Sequence, residues 1–303
     1  MPPGRERFPA GRHINYPPEG IYPHEDFDHR ITAFKDFVKH RQAPYDDNGH
    51  GTHIGAIIGG SGASQGGRYR GVAPGCSLIA VKVLDHRGNG FASDVLSGLL
   101  WVREHKRDYN IRVVNISVGS LSRKDMTESS VLVRGVDAAW DDGLVVVVAA
   151  GNHGPRQMSI TTPGISRKVI TVGCSDDYKE VEVMGNRMVD YSGRGPTAAC
   201  ILKPDIVAPG SRIMSCKNQP GGYMHRSGTS MSTPIVSGAI ALLLERCPWM
   251  TNRDVKLRLM ERAVDLGLPR NQQGWGLLDV DRLVAGPPYP VEAGEGLAGE
   301  PGL

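Results

Sequence analysis

The sequence predicts a doubly wound α/β fold, a mostly parallel sheet with helices on both faces. Three observations carry that expectation. From Leu78 onward, short β-branched runs alternate with longer helical patterns; the runs are apolar on both faces; and 303 residues with 40% hydrophobic content suffice to bury them.

The strand candidates are LIAVKVL (78–84), VVNISVG (113–119), LVVVVAA (144–150) and VITVGC (169–174). Continuous apolar runs of this length belong to strands covered on both sides. Between them, SDVLSGLLWVREHKRD (93–108) opens on a serine placed to cap a helix, carries an apolar face and ends in a basic turn; residues 127–142 form a second helix candidate. IVSGAIALLLERCP (235–248) is apolar nearly all round, so it reads as a helix inside the core, closed by Pro248. No internal repeat is evident.

One domain is expected over residues 21–285. Residues 1–20 contain no strand-like run, and residues 286–303, rich in Pro, Gly and Glu, bury too little apolar surface to order themselves. Lys and Arg number 35 against 32 Asp and Glu, with both signs dispersed, which implies no nucleic-acid or membrane partner. The amino terminus shows no apolar leader and the run near Ile235–Leu244 is too short to span a bilayer, so a cytoplasmic location is expected. Five cysteines (Cys76, Cys174, Cys200, Cys216, Cys247), odd in number and in no CxxC pair, read as buried free thiols.

Three stretches carry chemistry: DDNGHGTH (46–53), VVVVAAGN (145–152) and HRSGTSMSTP (225–234). His50 sits in a Gly-flanked turn entering a helix, and Ser230 stands in the corresponding place before the core helix, with Gly228 easing the entry and Pro234 tolerated in the first turn. A serine hydroxyl becomes a nucleophile when an imidazole removes its proton, and the oxyanion then formed needs donors aimed at it. Asn152 offers one donor and the Ser230 backbone N–H another. Taken singly, each residue has a plainer reading as a cap or a strand-to-turn transition; together they point to acyl-transfer chemistry. GTSMS is not a G-x-S-x-G elbow, and HGTH lacks the glutamate of HExxH, so neither an α/β-hydrolase nor a zinc protease is expected. No metal site is expected from Asp46, Asp47, His50 and His53.

NGHGTH, GVAP (71–74), AAGN, KPDIVAPG (203–210), GTSMSTPIVSG and GWGLLDV (274–280) resemble, in order and spacing, the subtilisin-like serine proteases, or subtilases, over about residues 21–285. The resemblance implies a serine endopeptidase working without a cofactor through an acyl-enzyme. His50 would be general base and acid, Ser230 the nucleophile, and Asn152 with the Ser230 N–H the oxyanion hole. Ser117, Val118 and Gly119 would pair with substrate backbone; Ala149, Ala150 and Gly151 would wall the pocket for the residue before the cut, with Thr161 and Thr162 nearby hinting that this pocket is not wide open. The partner would be extended or unfolded peptide, added as a strand. The alternative is a peptide-binding relative that keeps the cleft without cleavage.

One departure stands out. Subtilases carry a triad aspartate at the end of a buried strand that precedes the histidine. In the matching stretch, NYPPEG (15–20), Pro18 occupies that place with Glu19 beside it, and RHINYPP cannot make a central ladder. A gap in the sheet is therefore expected, with unpaired backbone on its neighbours. Three arrangements fit: an altered or truncated amino-terminal sequence, an inactive relative, or substitution by Glu19, Asp26 or Asp46. The stretch 59–71 has no acid and no asparagine, so no tight calcium site is expected there.

Overall fold

The computed structural model describes residues 20–120, 127–183 and 185–285. The expectations for residues 1–19 and 286–303 lie outside the described residues. In chain order, the strands and longer helices are β1 (Ile31–Asp36), α1 (His50–Gly59), β2 (Leu78–Lys82), α2 (Ala92–Glu104), β3 (Val113–Ile116), α3 (Val131–Asp141), β4 (Val145–Ala149), β5 (Ile170–Cys174), β6 (Val181–Val183), β7 (Asn186–Met188), β8 (Ile206–Ala208), β9 (Ile213–Cys216), β10 (Tyr223–Arg226), α4 (Thr229–Arg246) and α5 (Asn252–Arg262).

The core is a four-stranded parallel sheet in the order β3-β4-β5-β8, with Val113 opposite Val145, Val147 opposite Ile170 and Val172 opposite Ile206. Every residue of β4 and β5 is buried, because α4 packs along all four strands while α3 covers β4. Val236, Ile240 and Leu243 of α4 join Val146, Val148 and Val172 in one apolar cluster. A strand covered on both faces favours apolar side chains at every position, which is why these runs do not alternate; Thr171 is the polar residue in them, and its Oγ1 donates to Gly164 O at 2.7 Å.

β1 and β2 form a separate parallel pair. Among the described residues, β2 has β1 as its only ladder partner and β3 has β4 as its only one, and a cavity of about 780 Å³ lies between the two edges. Among the described residues the sheet is thus parted between β2 and β3.

Three expectations shift at the edges. Helix α2 starts on the carbonyl of Phe91, which accepts from Asp94 and Val95, so Ser93 lies inside the helix and is not its cap. It ends at Glu104, where bonding tightens to Lys106 N–H on Arg103 O, and the basic turn 105–108 falls outside it. Residues 127–130 make a turn before α3 begins. All five cysteines are free; Cys174, Cys216 and Cys247 are buried, but Cys200 is exposed in a tight turn closed by its N–H on Thr197 O. No helix among the described residues is long and apolar enough to cross a membrane.

Candidate active site

The loop before α1 is tied down by two carboxylates. Asp46 accepts hydrogen bonds from the N–H groups of Asn48, Gly49 and Thr52 and from Thr52 Oγ1, at 2.6–3.0 Å. Asp47 receives Lys82 Nζ at 2.9 Å and Lys39 Nζ at 2.8 Å, joining this loop to the end of β2. Backbone packs on backbone beside it: a Cβ on Gly51 would lie 2.0 Å from Gly20 O, so neither wall of that contact tolerates a side chain. His50, the first residue of α1, is thereby held with 7% of its surface exposed.

Its imidazole has an unusual environment. His50 Nδ1 is buried and has no hydrogen-bond partner among the described residues. Burial, then the charge of Arg226 and of His53, pushes its pKa well below the ordinary 6.5, so the ring is neutral at neutral pH. Neither Asp46 nor Asp26 bonds to it. Asp46 is spent on the helix start, and Asp26 accepts from Gly62 N–H, Ser64, Cys216 Sγ and Tyr223 OH; Glu19 lies outside the described residues. His53 turns the other way, its Nε2 against the carbonyls of Ile213 (3.2 Å) and Met224 (3.1 Å), so the four residues at 46–53 do not converge on one point. A buried trio, His24, Asp26 and Cys216, has metal-ligating types, but its atoms are engaged with one another, with Gly222 O and with Tyr223.

Helix α4 packs against α1, and Met231 meets Ile54 and Ile57, setting the first turns of the two helices side by side. Ser230 Oγ donates to Ser117 O at 3.1 Å and not to the imidazole. Asn152, just beyond β4, accepts at Oδ1 from Thr229 N–H (2.9 Å) and Thr229 Oγ1 (3.0 Å), while Thr229 Oγ1 accepts from Gly151 N–H at 3.1 Å. This clamp makes Nδ2 the donor end of the amide. Gly228, at φ 142°, enters the helix so closely that a Cβ there would sit 3.0 Å from Asn152 Nδ2.

A small cavity of about 20 Å³ adjoins Ser230, lined by Ser117, Val118, Gly119, Ala149, Gly151, Asn152, His153, Thr161 and Thr229. Seven of the nine residues expected at the site thus meet around it. His50 and Ala150 do not line it; the Ala150 side chain turns into a cluster with Val133, Ile160 and Ile165, because successive residues at a strand end point to opposite faces. Thr161 narrows the cavity, for a Cβ on Gly119 would lie 2.2 Å from Thr161 Oγ1 and one on Gly151 2.4 Å from its Cγ2. Thr229 and Arg226 were not singled out from sequence. Thr229 lies within the GTS motif, whereas no spacing signal marks Arg226.

A family model described as the subtilase family matches residues 19–276. The chain belongs to that family. It is 42% identical over 264 residues to the serine protease AprX of Bacillus subtilis (strain 168), across 81% of this chain and 59% of that protein's length. It is 35% identical over 263 residues to subtilisin Savinase of Lederbergia lenta, covering 86% of each. Among solved structures, sphericase superposes with a TM-score of 0.71 at 30% identity, covering 86% of this chain and 88% of that one. A cold-adapted subtilisin-like serine proteinase gives 0.69 at 29%, covering 90% and 95%. The subtilase's doubly wound sheet is therefore shared with these structures.

Proposed function

We propose that this subtilase chain is a serine endopeptidase acting on extended or unfolded peptide. His50 Nε2 takes the Ser230 proton as Oγ attacks the scissile carbonyl, then returns it to the leaving amine; water repeats the sequence on the acyl-enzyme. Asn152 Nδ2 and the Ser230 N–H receive the oxyanion, assisted by the positive end of α4. Substrate backbone adds along Ser117–Gly119, with the side chain before the cut entering the cavity between Gly119 and Gly151.

The observation that carries this reading is the Thr229 clamp on Asn152. An asparagine whose oxygen is occupied twice beside a helix-start serine is aimed as a donor before substrate arrives. The orphaned His50 Nδ1 sets the expected rate. With no carboxylate among the described residues to orient the ring and stabilise the imidazolium, turnover is expected to fall by about 10⁴ relative to a complete triad. That same atom favours the second reading, a peptide-binding relative with cleavage lost.

Prolonged incubation with reduced, unfolded casein and mass spectrometry of the new termini tests the two. Fragments from the parent chain that vanish with Ser230→Ala support the endopeptidase; binding of casein with no fragments supports the second reading.

A further inference from the structure

Arg226 is an under-satisfied cation beside His50. It closes β10, the strand that runs into Gly228 and Ser230. His53 Nε2 lies 3.1 Å from Met224 O, which ties β10 to α1. Two residues on, Arg226 Nη2 reaches Asn48 O, in the loop that enters α1, at 3.5 Å. That long bond is the one hydrogen bond Arg226 makes among the described residues, and its buried Nε has no partner there. The carboxylate whose charge it feels, Asp46, is occupied by Asn48, Gly49 and Thr52. A half-buried guanidinium with no anion against it has lost water without repayment.

Its position decides which part of a bound peptide it meets. In the reading proposed above, the half before the cut lies along Ser117–Gly119, with its last side chain in the cavity lined by Gly119 and Gly151. His50 hands its proton to the leaving amine, so the half after the cut departs on the His50 side. Arg226 stands on that side: its charge acts on His50, and it takes no part in lining the cavity beside Ser230.

We propose that Arg226 selects the residue after the scissile bond, pairing with an aspartate or glutamate side chain there, so that the preferred substrates are peptides with an acid at the first position of the leaving half. Guanidinium–carboxylate pairs are among the stronger charge-assisted hydrogen bonds. The pair has a second effect. Arg226 opposes protonation of His50, yet the imidazole must carry the proton between Ser230 and the leaving amine. A carboxylate against Arg226 offsets that repulsion, so the acid favours the chemistry as well as binding. The effect on rate rests on the endopeptidase reading above; the affinity for the acid does not.

The test uses the full 303-residue chain and matched peptides with alanine before the cut and glutamate, glutamine or lysine after it. Cleavage before glutamate is expected to exceed cleavage before glutamine by about 10-fold or more in kcat/KM, with lysine poorest. Arg226→Gln is expected to remove the preference and Arg226→Glu to turn it toward lysine, a reversal that damage to the fold would not produce. The same peptides, fluorescein-labelled, are titrated by fluorescence anisotropy against Ser230→Ala, with and without Arg226→Gln. The glutamate peptide is expected to bind about 10-fold tighter than the glutamine peptide only where Arg226 is present. Equal kcat/KM for the three peptides, or a glutamate preference that survives Arg226→Gln, overturns the proposal and leaves the endopeptidase reading in place. If no peptide is cleaved, tighter binding of glutamate that depends on Arg226 keeps the acid-selecting site and removes the endopeptidase reading; equal or absent binding then overturns both.

Discussion

Ser117 and Ser230 hold each other by two reciprocal hydrogen bonds: Ser230 Oγ donates to Ser117 O and Ser117 Oγ donates to Ser230 O, both at 3.1 Å. The second bond answers a defect. Pro234, four residues after Ser230 in α4, has no N–H for the Ser230 carbonyl, and Ser117 Oγ supplies the missing donor. Ser117→Ala is expected to orphan that carbonyl and lower unfolding stability by about 1–2 kcal/mol. Ser230→Ala keeps both backbone groups and should change stability by under about 0.5 kcal/mol. Urea denaturation of the two variants checks the difference.

Thr229 acts through Asn152. Thr229→Val keeps the shape of the side chain but removes the hydroxyl that donates to Asn152 Oδ1 and accepts from Gly151 N–H. Peptide hydrolysis should fall about 10-fold through kcat with KM little changed, against about 10²–10³ for Asn152→Ala. Equal losses in KM and kcat for Thr229→Val would count against an orienting role.

The narrow cavity beside Ser230 predicts a preference for small side chains before the scissile bond. Thr161 Oγ1 is buried without a partner among the described residues, so Thr161→Val should be neutral or slightly stabilising. Thr161→Ala opens the space between Gly119 and Gly151, and the kcat/KM ratio for phenylalanine over alanine at that position should rise about 10-fold or more. An unchanged ratio across a set of matched peptides would place that side chain elsewhere.

Asp47 links stability to pH. Burial alone would raise its carboxyl, but hydrogen bonds from Lys39 and Lys82 outweigh that and hold it at about 2, below the ordinary 3.8. A depressed acid stabilises the fold fully above about pH 4, and that contribution, about 1 kcal/mol for a pair screened by solvent on one side, is lost as pH falls through about 2. Lys82 is fully buried, so Asp47→Asn strands its ammonium and should cost about 3–5 kcal/mol at pH 7. Unfolding curves at pH 7 and pH 3 should show the variant's deficit shrinking toward acid.

How much of this was legible depended on how completely each element is covered. Strands β4 and β5 were readable because burial on both faces leaves unbroken β-branched runs. Strand β1, ITAFKD, is half-exposed along most of its length, and its mixed pattern gave no period to follow; β8 has three residues, too few for any period. At the site, His50, Asn152 and Ser230 announce themselves by motif. That the Ala150 side chain faces away from the cavity is hidden in the sequence, because an unbroken apolar run conceals which residues face which side. The Thr229 clamp depends on residues 77 apart in sequence, a relation that no local spacing encodes.

Fluorophosphonate labelling mapped by peptide mass spectrometry, compared between the parent chain, His50→Ala and Ser230→Ala, tests most directly whether the imidazole at the start of α1 activates the hydroxyl at the start of α4. The expected result is slow labelling confined to Ser230, reduced at least 10-fold by His50→Ala and abolished by Ser230→Ala. Labelling of Ser230 at the same rate with and without the His50 imidazole, in chains that melt cooperatively, would contradict it.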